Sequence, residues 1–279
     1  MTTSKQNILV LTDFSDTALN AARYAVALSR QLRPSRILLC YSDYIPPSID
    51  IPLQDAMRDE HEFKKNDDQL KAWKSQLKLL ADEDTLIDIH IDERPLGFAV
   101  NELSEEQSIG LVVMGLTGKT RLEQVLIGSN TIAIAKSGNR PLLIVPEDAK
   151  FMGISKAVFA CDFKQVDPVI PYDSIKNFVR SFNARLLILN VDRYDERQFN
   201  PEVKAAEAKL RSEWGGEVEF HFTHDKDVAE GITAFAVEHE VDLIITVPQE
   251  YGFFEGLFHR SVTKKMTYHT DIPLLLFKG

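Results

Sequence analysis

Residues 111–135 read LVVMGLTGKTRLEQVLIGSNTIAIA, and the succession of residue types there sets out a strand, a loop and the start of a helix. Leu111, Val112, Val113 and Met114 form an apolar run that stops at Gly115; Gly118 follows, then Gly128, Ser129 and helix-compatible sequence. Glycine suits such a loop because it accepts positive φ and lets backbone N–H groups approach an anion with no Cβ in the way. The N–H groups of Ser129 and Asn130 fall in the first turn of the expected helix, where unpaired donors and the helix dipole favour a phosphate. The stretch reads as a nucleotide or phosphate site. Gly118-Lys119-Thr120 does not make it a P-loop, because the required earlier glycine is Val113.

Upstream, strands alternate with helices. The run NILVLT at residues 7–12 predicts a buried strand ending in the polar turn Asp13-Phe14-Ser15, and RILLCY at 36–41 predicts a second. Between them Leu19, Ala22, Val26, Ser29 and Leu32 recur at helical spacing, with Ser15 or Asp16 placed as N-cap. Leu70, Trp73, Leu77 and Leu80 mark another helix. The alternating run IDIHI at 87–91 predicts a strand at a sheet edge or with one wet face.

The same order is written twice. Aligning Asp13 with Asp162, an offset of 149, lays RLLILN at 185–190 under RILLCY at 36–41. Further on, LIIT at 243–246 matches LVVM at 111–114, and PLLLF at 273–277 matches PLLIV at 141–145, now at an offset of 132. The first copy's surplus falls after its second strand, where Pro46, Pro47 and Pro52 exclude a regular helix or central strand. In the second copy a helix is expected near Asp167-Pro168, another through Val203, Ala206 and Leu210, and a strand at 218–222. Alternating strands and helices predict parallel βαβ units with right-handed crossovers, and ligands outside the carboxyl ends of strands where strand order reverses. PEDAKFMG at 146–153 is the expected linker, dividing the chain into domains 1–149 and 150–279.

Composition bounds the function. The 279 residues suffice for two cores, and a 44% hydrophobic, 27% charged chain is of globular type. A net charge of −10 argues against a general nucleic-acid binder. No apolar run approaches a membrane span and no leader pattern opens the sequence, so no membrane association and a cytoplasmic location are expected. Cys40 and Cys161 lie in or beside apolar strands and read as buried thiols rather than a disulfide.

The motifs NILVLTDFS at 7–15 and Gly115-x2-Gly118-x9-Gly128-Ser129 resemble those of the universal stress protein family, in a tandem two-domain arrangement. The resemblance implies an adenine nucleotide alpha hydrolase-like α/β fold: two doubly wound, five-stranded parallel sheets in order 3-2-1-4-5, paired through their fifth strands as an intramolecular pseudo-dimer. It also implies ATP, with magnesium as a candidate companion, held between the first and fourth strands. Asp13 would meet the adenine side, with Leu11, Thr12 and the backbone of Tyr41 lining that pocket; Met114 and Gly115 would touch ribose and phosphate; Gly118, Gly128, Ser129 and Asn130 would hold the triphosphate. Leu11 and Tyr41 depart from the family's usual proline and valine.

In the second copy Gly115, Gly118 and Gly128 become Val247, Glu250 and Arg260, while Ser129 persists as Ser261. That copy is expected to have lost triphosphate binding, with Glu250 and Arg260 paired across the loop. The sequence leaves three functions standing: a nucleotide-dependent regulator of a protein partner, a slow ATP hydrolase, and a scaffold taking an apolar ligand near Phe253, Phe254, Leu257 and Phe258. No nucleophile and base stand out, His221 and His224 lie on opposite faces of a strand, and homodimerisation stays open.

Overall fold

Each apolar run forms a strand because β-branched and leucine side chains can be covered on both faces by helices. The computed structural model describes residues 6–44, 60–116, 131, 133–135, 138–161, 170–192, 201–214, 218–247 and 271–278. Its strands are β1 (Asn7–Thr12), β2 (Arg36–Ser42), β3 (Leu86–Asp92), β4 (Ile109–Gly115), β5 (Leu142–Val145), β6 (Lys156–Ala160), β7 (Arg185–Asp192), β8 (Glu219–His224), β9 (Leu243–Thr246) and β10 (Leu274–Leu276). The helices are α1 (Asp16–Leu32), α2 (Glu60–Lys78), α3 (Leu96–Glu106), α4 (Tyr172–Ser181), α5 (Pro201–Trp214) and α6 (Val228–Glu238).

The strands form one ten-stranded sheet in the order β3-β2-β1-β4-β5-β10-β9-β6-β7-β8. The order 3-2-1-4-5 is met in the first half and repeated in mirror sequence in the second. All neighbours are parallel except β5 and β10, which pair antiparallel with Leu143 opposite Leu275. The two expected sheets are therefore continuous through their fifth strands. One face is covered by α1, α2, α4 and α5, the other by α3 and α6.

The alternating strands β3 and β8 are the outermost ones. Each edge carries the same ion pair at the corresponding position: Arg36 with Asp88 at 3.4 Å in the first half, and Arg185 with Glu219 in the second. Charge at an exposed edge discourages pairing with a foreign strand.

Asp167 and Pro168, near which the second copy's first helix is expected to begin, lie outside the described residues; α4 is described from Tyr172, directly after Pro171. Helix α2 is described from Glu60 and ends at Lys78, so Leu80, expected within it, lies in the following turn. The linker is a docked strap. Asn20 Nδ2 donates to the carbonyls of Pro146 and Ala149, both at 3.0 Å. Gln31 Nε2 donates to Ile154 O and Phe182 O, its Oε1 accepts from Ile154 N at 3.0 Å, and Tyr24 meets Phe151 edge-on. Ser155 and Lys156 donate three hydrogen bonds of 2.8–2.9 Å to Asp242 Oδ2. At about 1 kcal/mol net for each internal hydrogen bond, the Asn20 and Gln31 contacts fix α1 against the strap and the start of the second half.

Candidate functional site

The site is built where β1 and β4 part. Their register runs to Val10 opposite Val113 and ends there, although each strand continues for two more residues. Their outer partners follow them further, with Thr12 opposite Tyr41 and Gly115 opposite Val145. The last residues of β1 and β4 thus keep their other neighbours but do not pair with each other, at the reversal of strand order where doubly wound sheets take ligands. In the second half the corresponding strands stay paired one residue longer, through Ala160 opposite Thr246.

Leu11 and Met114 are buried on the α3 side of the sheet, and Thr12 is buried at the end of β1. The chain then turns sharply. Phe14 takes φ 62°, its N–H donating to Thr12 Oγ1 at 2.9 Å. The exposed Asp13 accepts through Oδ1 from Ser15 N at 3.0 Å and Ser15 Oγ at 2.5 Å. Ser15 Oγ in turn accepts from Ala18 N at 3.2 Å and lies 2.9 Å from Thr17 Oγ1. Asp13 therefore acts first as the turn former that aims the cap of α1.

Gly115 is fixed by packing. A Cβ there would sit 2.5 Å from Thr17 O, 2.7 Å from Thr17 C and 2.9 Å from Ala18 N, all backbone of the first turn of α1. Its absence lets β4 run against the helix start, a constraint that composition did not disclose. At the matching position Val247 is accommodated beside the other half's core.

Tyr41 lines the β2 side. Phe14 stacks on it at 4.7 Å between ring centroids, and Trp73 meets Phe14 edge-on at 5.7 Å. Burial raises the pKa of the Tyr41 hydroxyl, and Asp43, Glu62 and Asp13 raise it further. The phenol stays protonated at neutral pH and can donate. Three carboxylates on this side disfavour a polyanion there, leaving it to the uncharged end of a ligand. In the second half Asn190 stands in place of Tyr41; it is buried, and its Nδ2 donates to Cys161 O at 3.0 Å, tying down the end of β6.

Gly118, Gly128, Ser129 and Asn130 lie outside the described residues, as do Asp162, Glu250, Arg260, Ser261 and the phenylalanines 253, 254 and 258. Sequence reasoning missed Phe14 as a stacking partner of Tyr41, because an aromatic in a polar turn carries no signal of which ring it will meet. His221 packs against Phe235 and His239, and His224 Nδ1 lies 2.7 Å from Asp192 O. Among the described residues no helix is long and apolar enough to cross a membrane.

The sequence profile described as the universal stress protein family matches residues 5–146 and 177–278. Two universal stress proteins of Methanocaldococcus jannaschii are similar to the chain. One is 28% identical over 145 residues, covering 52% of this chain and 84% of that protein. The other is 24% identical over 173 residues, covering 52% and 97%. The crystal structure of a universal stress protein from Archaeoglobus fulgidus superposes with a TM-score of 0.69 over 98% of both chains at 15% identity, a likeness of fold. With two matched segments spanning most of its length, the chain belongs to the universal stress protein family.

Proposed function

We propose that this protein acts in stress response as a nucleotide-dependent regulator, binding ATP in a first domain of residues 1–149 and carrying a second domain, 150–279, whose crevice no longer serves a triphosphate. The observation that carries the reading is the early parting of β1 and β4 in the first half, set against Ala160 and Thr246, which remain paired in the second. Adenine would lie against Leu11, Thr12, Asp13 and Tyr41. Ribose and phosphates would extend past Met114 and Gly115 toward Gly118, Gly128, Ser129 and Asn130, with magnesium on the phosphates. The carboxylates around Tyr41 support this polarity, because they repel the phosphate end. The chain's charge and composition suit a cytoplasmic protein whose partner is another protein rather than nucleic acid.

The test is calorimetric titration with ATP and Mg²⁺, paired with thermal unfolding of wild type and Gly128→Arg, which places the second half's residue in the first half's loop. A ligand at 100 times its Kd stabilises by roughly 2.7 kcal/mol. Saturable binding lost in Gly128→Arg is expected; no heat and no thermal shift in wild type refutes the reading. Phosphate release measured alongside separates a binder from a slow hydrolase.

A further inference from the structure

The first half contains a charged clamp that the second half lacks. Asp92, the last residue of β3, is buried, and its carboxylate is gripped by Arg94: Nε reaches Oδ1 at 2.9 Å, Nη2 reaches Oδ2 at 2.7 Å, and the Arg94 backbone N–H donates to Oδ1 at 2.9 Å. His90 Nε2 lies 3.2 Å from Oδ2, and Arg94 is held from outside by Glu102 of α3. The end of β2 hangs on this group at two points: Asp43 N–H donates to Asp92 O at 2.7 Å, and Ser42 Oγ donates to Arg94 O at 3.2 Å. Those two residues follow Tyr41 directly.

The paired register makes the comparison between halves exact in position. Ser42 lies opposite Asp92, and Val191 lies opposite Thr223. Thr223 replaces the buried carboxylate, its Oγ1 buried with no hydrogen-bond partner among the described residues, and Asp225 stands where Arg94 would be. The fold forms β7 and β8 without the clamp, so the clamp is not a requirement of the sheet. A buried charge is costly to desolvate and is tolerated when its partners saturate it, as four contacts do here.

We propose that Asp92 and Arg94 are positioning residues for the base-side wall of the nucleotide site, anchoring the Tyr41–Asp43 segment to the turn after β3 through Ser42 so that it reads the adenine rather than the phosphates. The inference rests on the nucleotide reading above. Arg94→Lys keeps the charge and removes the two-pronged grip; Glu102→Gln removes only the outer contact and serves as the milder variant. Each is titrated with ATP and, separately, with inorganic tripolyphosphate, while hydrogen exchange at the Asp43 amide is followed without ligand.

The expected result for Arg94→Lys is an ATP affinity weakened about tenfold, the scale of one charged hydrogen bond, an unchanged tripolyphosphate affinity and faster exchange at Asp43. A smaller change of the same kind is expected for Glu102→Gln. Equal weakening toward both ligands overturns the positioning role, since a general loss of structure would act on both. Undiminished ATP affinity in Arg94→Lys overturns it as well. Wild-type protein that binds neither ligand overturns the nucleotide reading itself.

Discussion

Gly115 offers a sharp test, because motif logic assigns it to a ligand whereas its surroundings assign it to the joint between β4 and α1. In Gly115→Ala the new Cβ meets three backbone atoms at 2.5–2.9 Å, none of which can rotate away. Relief requires the first turn of α1 to retreat by most of an ångström, straining the Ser15 cap on Ala18 N. Overpacking of this kind costs about 1–3 kcal/mol and a damaged cap about 1 kcal/mol more. A total of ~2–4 kcal/mol lowers the thermal midpoint by roughly 3–7 °C in a chain of this size. Gly153→Ala is the control: its φ of 105° penalises a side chain, yet a Cβ there meets nothing within 4 Å, so about 1–2 kcal/mol is expected from backbone strain alone. Urea denaturation of both variants, without nucleotide, gives the ranking. A Gly115→Ala loss no larger than that of Gly153→Ala refutes the packing argument.

Other expectations follow from the same geometry. The Arg94 guanidinium beside Asp92, despite burial, holds the Asp92 carboxyl down at about 2, below the ordinary carboxylate value. The unfolded chain then binds the extra proton first, so this contribution is complete above about pH 4 and lost as pH falls toward 2; Asp92→Asn should flatten the acid limb of the stability–pH curve. Gln31→Ala removes two hydrogen bonds to the strap at Ile154 and one to Phe182 O at the end of α4, and a stability loss of about 1–3 kcal/mol with faster proteolysis near Phe151 is expected in limited digestion. Burial pushes the Cys40 thiol up to about 12, with Asp92 adding to it. In a Cys161→Ser variant it should resist a thiol reagent at pH 8 until denaturant is added; prompt labelling of folded protein contradicts this.

Period and residue type foretold the strands well, because a buried strand must be apolar along its whole length and a half-wet one must alternate. Ile87 to Ile91 announced an edge, and β3 is one. Joining through the fifth strands came from the resemblance and is met in Leu143 and Leu275. Distances between elements were out of reach. Asn20 and Gln31 look like ordinary polar residues of a helix, and only tertiary placement makes them anchors for residues more than a hundred positions away. Gly115 showed its identity but not its reason, since the crowding atoms belong to Thr17 and Ala18. Arg94 sits in an unremarked turn until the chain brings Ser42 and Glu102 beside it.

The antiparallel seam between β5 and β10 sets the direction of everything on either side of it. Strands of the first half finish at one rim of the sheet and those of the second half at the opposite rim, so the two reversals of strand order face away from each other. Two identical chains meeting at this seam would present the same chemistry at both rims and would come apart on dilution. Written as one polypeptide, the seam closes at a fixed effective concentration, and each rim is free to change by itself: Asn190 ties down one while Tyr41 stacks on Phe14 at the other, within a sheet that needs no assembly step.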